Sequence, residues 1–528
     1  MNGARALLST LVDGGVDVCF ANPGTSEMHF VAALNDEPAM RGILCLYEGV
    51  ATGAADGYGR VTGRPAATLL HLGPGLGNGL ANLHNARRAS TPVVNVVGDH
   101  ATWHSRYDAP LESDIAGIAG AVSSWYRSVA NADQVAADAA DAVAAALGPP
   151  GCVATLVLPA DVSWSPTSAD ADRSGHDAGV GAGTLPRPRR SRVPDDTIDE
   201  VARALRSSRR PALLLGGSAL RAAGLQAASR VAAASHAALL GETFPANLER
   251  GAGLPAVQRL AYLAEMAQAQ LAGVDHLVLV DAKSPVSFFA YPGKASDLVP
   301  PECTVHALVR PGEDAPAALE ALAEALGAAG RCDDGGLLAP ATRPDRPVGA
   351  LNPESLAAAI GATLPEGAIV VDEGNTAGLL VAGATAGAPR HNWLTLTGGA
   401  IGIGLPMATG AAVAAPDRPV LCIEADGSAL YTLQALWTQA REGLNVTTVV
   451  LANRSYAILQ MELHRVGAAG DGPQARRLLD LTAPELDFCD LARGMGVPAR
   501  RVEDAADLAA ALSATYAEIG PNLLEVCL

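Results

Sequence analysis

Short apolar runs separated by stretches of helical periodicity set the rhythm of this chain. In residues 1–165 the runs 16–21, 42–46, 66–71, 93–98 and 154–159 read as strands, with helices in the intervals. Strands this apolar are buried on both faces, so the expectation is an α/β fold with a mostly parallel, doubly wound sheet. From Ser165 to Asp196 the chain is rich in Ser, Asp, Gly, Pro and Arg without periodicity, and reads as a linker. A second α/β stretch has strands near 212–215, 276–280 and 304–307. Residues 330–353 turn again to Gly, Pro and Asp. The expected division is therefore 1–165, a linker 166–196, a central domain 197–329, a linker 330–352, and 353–528. The first and last parts read as two variations on one architecture, without a clear sequence repeat.

The last part carries the densest chemistry. An apolar run at 419–423 reads as a buried strand, Ala425-Asp-Gly-Ser428 as the turn after it, and 431–442 as a helix; a second strand at 446–451 delivers Asn453. In a parallel sheet this unit brings Asp426 and Asn453, 27 positions apart, to the carboxyl ends of neighbouring strands, where such sheets bind ligands. A carboxylate, an amide oxygen and a main-chain carbonyl make half of an octahedral oxygen shell, which suits Mg²⁺ when phosphate and water complete it. The amino end of the helix at Ser428 is a seat for the phosphates. Taken alone, an Asp-Gly turn and an Asn capping a loop explain the same residues.

Three upstream segments change that balance: NPGTSEMHF at 22–30, EGVATGAADGYGR at 48–60 and HLGPGLGNGLANLHNARRASTPVV at 71–94. With them the chain resembles, over nearly its whole length, the decarboxylase-type thiamine diphosphate (ThDP) enzymes. Within that group it is most similar to acetolactate synthase large-subunit homologues and benzoylformate decarboxylase. The Asp426…Asn453 unit resembles the family's diphosphate motif, Gly-Asp-Gly followed by Asn, with Ala425 in place of the first Gly.

The resemblance implies three doubly wound domains, for the pyrimidine, the centre and the diphosphate, with ThDP and Mg²⁺ as cofactors. It implies metal ligation by Asp426, Asn453 and the main-chain carbonyl of Ser455. It places Gly427, Ser428, Tyr456, Asn375, Thr376, Gly399 and Gly75 against the cofactor, and makes Ile401 the bulky residue that props it in a bent form. A core Ile would look the same, and Asp372 or Glu373 could equally cap a helix. Read alone, Glu48 caps the helix that follows it. Within the family it is the carboxyl that bonds a pyrimidine ring nitrogen and lets the cofactor deprotonate its own thiazolium carbon. His71 stands where a proton-relaying His is expected and Thr25 where a substrate-contacting hydroxyl is, against a structural histidine and a turn hydroxyl. His100 and His104 follow the strand end at Gly98 and are further candidates for the cleft.

Gly73-Pro-Gly75-Leu-Gly77-Asn-Gly79 reads as a Gly-rich turn; its spacing and Pro74 argue against a dinucleotide fingerprint. The chain also departs from its relatives. The flavin-contacting Arg-rich stretch of acetolactate synthases and their Gln-Trp-Gln segment are absent, which argues against FAD. Phe288 and Phe289 stand near the second His of benzoylformate decarboxylase and would form an apolar wall. The reading is a ThDP- and Mg²⁺-dependent enzyme that makes or breaks a C–C bond beside a carbonyl, a 2-oxo acid decarboxylase or carboligase. Acetolactate synthase-like acyl transfer and 2-hydroxyacyl-CoA cleavage are alternatives within the class, and an idle homologous subunit is one outside it.

Composition adds limits. At 528 residues the chain exceeds one core, and no apolar run reaches the 18 residues of a membrane span. The amino terminus lacks a basic-then-apolar leader, so a soluble cytoplasmic protein is expected. A net charge of −18 argues against nucleic acid or an anionic membrane as partner. Cys19, Cys45, Cys152, Cys303, Cys332, Cys422, Cys489 and Cys527 show no paired spacing and read as reduced thiols, not a zinc site. Because the two cofactor motifs lie in different domains, the resemblance implies a homodimer or homotetramer with active sites shared between chains.

Overall fold

In a computed structural model, residues 1–168, 188–328, 336–468, 470 and 472–528 are described. Cys332 and parts of both expected linkers lie outside them. Three sheets follow one another along the chain, as the apolar runs predict. The first has the order β2-β1-β3-β4-β6-β5, with β1 Val18–Asn22, β2 Arg41–Leu44, β3 Ala66–Leu70, β4 Val93–Asp99, β5 Trp125–Ser128 and β6 Val153–Pro159. The second has the order β10-β8-β7-β11-β12, with β7 Pro211–Leu215, β8 Ala238–Gly241, β10 Gln258–Arg259, β11 His276–Val280 and β12 Thr304–Val309. The third has the order β17-β18-β16-β15-β13-β14-β9. Its strands are β9 Leu248–Arg250, β13 Ile369–Glu373, β14 His391–Thr395, β15 Val420–Ala425, β16 Val446–Ala452, β17 Ala499–Val502 and β18 Asn522–Cys527.

Among the described residues these strands pair in parallel except at β9, which comes from the middle of the chain and lies antiparallel on β14 at the edge of the third sheet. The middle stretch is thereby stitched to the last. No described helix is long and apolar enough to cross a membrane, and the seven described cysteines are free.

Each sheet has a strand whose two neighbours are reached by winding in opposite directions along the chain. β1 has β2 on one side and β3 on the other; β7 stands likewise between β8 and β11, and β13 between β14 and β15. The loops leaving such a pair of strands splay to opposite faces and open a crevice at their carboxyl ends. The molecule therefore offers three crevices, and the residues in each decide its use.

The first and third sheets share a core. The helix Glu48–Thr62 lies on the helix Gly404–Ala414, and their backbones approach so closely that a Cβ on Gly410 would stand 1.8 Å from the carbonyl oxygen of Ala54. Val50, Ala54 and Tyr58 pack there with Met407, Ala408 and Ala411 in one apolar cluster. Arg60 reinforces the joint. It forms a buried pair with Asp56 at 2.6 Å, and donates to the carbonyl of Thr395 and the hydroxyl of Thr397. Removing either charge would leave the other unpaired in the interior, at about 3–5 kcal/mol.

Candidate active site

The third sheet's crevice lies between the ends of β13 and β15. Strand register pairs Glu373 with Glu424 and Ala425 with Leu451, so Asn375, Asp426 and Asn453 leave the sheet side by side. Asn375 Nδ2 lies 3.3 Å from the Ser428 hydroxyl, bridging the two loops. Asp426 is 3% exposed; it accepts the backbone N–H of Gly427 at 2.8 Å and of Arg454 at 2.6 Å. Burial pushes its carboxyl up, against the pull of those N–H groups. Asn453 Oδ1 accepts the Ser455 N–H at 3.1 Å. Tyr456 packs on Gly427, where a Cβ would stand 2.5 Å from its ring. Asn375 and Arg454 both have left-handed backbones, φ 45° and 57°, a strain that proteins concentrate at functional loops.

The expected helix 431–442 begins later. A single turn, Asp426–Ala429, is followed by an irregular passage, and the helix proper is Ala435–Glu442. The interruption has a visible cause: Tyr431 packs beneath Gly402, and Thr432 spends its hydroxyl on the Gly402 carbonyl at 2.9 Å.

The loop 397–403 crosses above this crevice and is fixed from both sides. Asn85 accepts the Gly398 N–H and donates to the Ala400 carbonyl, and Asn82 donates to the Gly402 carbonyl. From below, Glu373 accepts the N–H groups of Gly402 at 2.8 Å and Gly404 at 2.5 Å. Its neighbour Glu424 is fully buried, and among the described residues its Oε1 has no hydrogen-bond partner. Burial pushes Glu373 up to about 7 and holds Glu424 far above the usual carboxyl range, helped by the charge of Glu373. Ile401 is half-buried and packs on the shared core. Gly399 has φ 75°, and a Cβ on it would stand 2.7 Å from the Phe288 ring.

The first sheet's crevice lies between the ends of β1 and β3. Glu48 is the first residue of its helix and 6% exposed. The cap position is Tyr47, with no side-chain cap bond; the Glu48 carboxyl instead accepts the amide of Asn78 at 3.0 Å. A Cβ on Gly75 would fall between Glu48, at 3.2 Å, and His71, at 3.4 Å. The Gly-rich run is not the expected turn: Leu72–Ala89 is one helix, with Pro74 in the first turn, where its missing N–H costs nothing. Gly73 and Gly79 allow that helix to press against Ser113 and Thr52.

His71 precedes this helix, followed by Leu72 with φ 52°. Its Nδ1 lies 2.8 Å from Glu27, a fully formed contact that sequence reasoning passed over although Glu27 sits inside the NPGTSEMHF segment. Asn78 was also passed over, hidden in the Gly-rich run. Thr25 is exposed at the start of the short turn Thr25–Glu27. His100 is half-buried with Nε2 unpartnered, and its ring lies 5.3 Å from that of His104, which leads outward to Trp103 and Tyr107. Glu48 and Asp426 are held by separate sets of partners in separate crevices.

The donor set fits a divalent ion on a diphosphate. Among the described residues no Lys, Arg or His pairs with buried Asp426; the Arg454 guanidinium is committed to Glu485. A buried carboxyl without a counter-charge, on the strand next to the one that carries Asn453, is the oxygen-rich environment that Mg²⁺ takes.

The second crevice, between β7 and β11, is lined differently. Asp281 accepts the Ser218 N–H at 3.1 Å and faces Arg190 at 3.8 Å, so the chain's own carboxylate sits at the turn after β7. A cavity of about 880 Å³ opens beside it. Its lining takes in Arg60 and Arg88 from the first part, and Thr397, Gly398 and Phe288. In that lining Phe288 meets Tyr262 and Phe244 at ring separations of 5.2 and 5.9 Å, and Phe289 at 4.8 Å.

Comparison with known proteins agrees with this geometry. Residues 1–118 match the model for the N-terminal TPP binding domain of thiamine pyrophosphate enzymes, and residues 372–526 that for the C-terminal TPP binding domain. IlvX of Mycobacterium tuberculosis, whose naming as an acetolactate synthase large subunit is itself provisional, is 60% identical over 100% of this chain and 99% of its own. Benzoylformate decarboxylase of Pseudomonas aeruginosa is 29% identical, covering 97% and 96%. The fold is that of a Rhodococcus jostii ThDP-dependent 4-hydroxybenzoylformate decarboxylase, with a TM-score of 0.83 at 24% identity over 99% and 98% of the two chains. The chain belongs to the thiamine diphosphate-dependent enzymes, in the acetolactate synthase and benzoylformate decarboxylase family.

Proposed function

We propose that this enzyme binds ThDP through Mg²⁺ and decarboxylates a 2-oxo acid with an apolar side chain, releasing an aldehyde or passing the acyl unit to a second carbonyl. The observation that carries the reading is Asp426: buried, without a cation, and aligned with Asn453 and Asn375 at a switch point. In this reading Asp426, Asn453 and the Ser455 carbonyl hold the metal, while Ser428, Gly427, Asn375, Thr376 and Tyr456 surround the diphosphate. Ile401, Gly399 and Gly75 shape the space for the rings. When bound, the cofactor supplies an electron sink for the carbanion left by C–C cleavage.

The chain's own residues do the rest. Glu48, fixed by Asn78, holds a proton against a ring nitrogen. His71 Nε2 takes and returns a proton at the substrate, with Thr25 and His100 as neighbours. Decarboxylation consumes one proton, which the new aldehyde carbon keeps and solvent restores through His71. Phe288 and Phe289, with Tyr262 and Phe244 behind them, favour an aromatic or branched side chain. That the enzyme works without FAD belongs to the same reading and rests on the missing flavin-contacting stretch.

Each active site is proposed to draw Glu48 from one chain and Asp426 from its partner, in a homodimer or homotetramer. Met28, Leu46, Trp103, Tyr107, Leu379 and Tyr431 are exposed apolar residues on the first and third parts that a partner would cover. The domain division 1–165, 197–329 and 353–528 and a cytoplasmic location belong to the same proposal. Acetolactate-type acyl transfer is the second reading, favoured by the 60% identity to IlvX.

The test is a panel of pyruvate, benzoylformate, branched 2-oxo acids and a 2-hydroxyacyl-CoA, with ThDP and Mg²⁺, followed by CO₂ release and carbonyl product. Preference for benzoylformate or a branched acid supports the reading. Acetolactate from pyruvate alone would replace it with the second, and absence of any turnover would favour an idle subunit.

A further inference from the structure

We propose that Glu27 is the positioning residue for His71, and that with Ser26 it fixes the ring so that Nδ1 carries the proton and Nε2 stays bare toward the substrate. The inference rests on the proposed role of His71 but not on the identity of the substrate.

The geometry is closed on three sides. Glu27 is 3% exposed. Its Oε2 accepts the Gly24 N–H at 2.7 Å and faces His71 Nδ1 at 2.8 Å, and its Oε1 accepts the Ser26 hydroxyl at 2.5 Å. Ser26 Oγ lies 3.3 Å from the same Nδ1. Having given its hydrogen to Glu27, it can only accept there. A carboxylate accepts and does not donate, so both neighbours of Nδ1 demand a hydrogen on it. The neutral ring is then the Nδ1–H tautomer, with a lone pair on Nε2. The His71 side chain keeps 22% exposure while Glu27 has 2%, so the ring's open edge is the Nε2 edge.

Two glycines make this possible. A Cβ on Gly98, at the end of β4, would stand 1.7 Å from Glu27 Oε1, and one on Gly24 would stand 2.2 Å from His71 Nδ1. The space for the carboxylate and the ring is thus carved out of β4 and the loop after β1. A lone structural histidine satisfied by a carbonyl or water would need none of this. The charged groups around the ring are Glu27 beneath it and Glu48 beyond Gly75. In the proposed reaction His71 is the imidazole that hands the proton over, so the orientation of its ring matters.

Two measurements decide the matter. In holoenzyme labelled with ¹⁵N-histidine, with the His71 signal assigned from His71→Ala, the neutral ring should show the proton on Nδ1. In Glu27→Gln, whose amide can donate as well as accept, the signal should shift toward the other tautomer. An Nε2–H ring in the wild type would overturn the proposal whatever the enzyme's substrate is. The second measurement is a double-mutant cycle on whichever 2-oxo acid is turned over. Glu27→Gln should lower kcat about 10–100-fold, the usual loss when the partner orienting a functional imidazole is removed, with KM changed far less. In a His71→Ala background the same substitution should cost nothing further. Equal losses in both backgrounds would show that Glu27 acts on the fold and not through His71. Should Glu27→Gln fail to fold, Glu27→Asp, which withdraws the carboxylate by one methylene, carries the same cycle. Should no 2-oxo acid react, the proposed function falls, and the tautomer alone still judges this inference.

Discussion

Asn375 and Ser428, 53 positions apart, meet side chain to side chain at 3.3 Å across the ends of β13 and β15. The contact sets the width of the third crevice before any ligand arrives. Asn375→Ala should weaken ThDP binding about tenfold, the worth of one good hydrogen bond, and Ser428→Ala in that background should add less than it does alone. Calorimetric titration of the four proteins checks both statements; full additivity would mean that the two residues do not act as a pair.

Glu48→Gln keeps the shape and the Asn78 contact but removes the proton that the cofactor needs. The fold and ThDP affinity should survive, while hydrogen–deuterium exchange at the thiazolium carbon slows by about 10²–10⁴-fold. Wild-type exchange would remove Glu48 from the reaction.

Shared sites make a sharper demand than assembly size. Glu48→Gln and Asp426→Ala chains should each be inactive alone. Refolded together they should recover about one quarter of wild-type activity, because each mixed dimer contains one intact site. No recovery, with mixed dimers demonstrated by mass, would place both groups of a site in one chain.

His391, 3% exposed on β14, is pushed down to about 4 by burial, with the nearby Arg250 charge adding to the effect. Among the described residues its Nε2 has no hydrogen-bond partner. The unfolded chain binds the proton near the ordinary value of 6.5 while the folded chain refuses it. Stability should therefore fall as pH drops from 6.5 toward 4, by up to about 3 kcal/mol from this group, and level off below. Urea unfolding of the apoenzyme across that range should show the slope, and His391→Gln should flatten it. An unchanged slope would assign the acid sensitivity to other groups.

Much of this architecture was legible because its central strands are buried on both faces. β11 matches its apolar run residue for residue, and β15 and β16 lie within one or two residues of theirs. The short edge strands were not. β9 and β10 have three and two residues, too few for any period, and β5 alternates half-buried and exposed positions. The Gly-rich run concealed a helix because its glycines serve close packing, which depends on neighbours such as Ser113 and Thr52 that local sequence does not reveal. Glu27 escaped for the same reason, since its partner is 44 positions away. Glu424 left a readable trace: a carboxyl at the end of the apolar run 419–423, one position before the turn, announces a buried acid, but not that Glu373 would share its site.

The central claim is that the loops 426–428 and 453–456 hold ThDP through a divalent ion. Protein stripped with a chelator should bind ThDP tightly when Mg²⁺ is restored and lose most of that affinity without it. Asp426→Ala should bind weakly in both conditions. Wild-type affinity that ignores Mg²⁺, or an Asp426→Ala protein that still responds to it, would contradict the account.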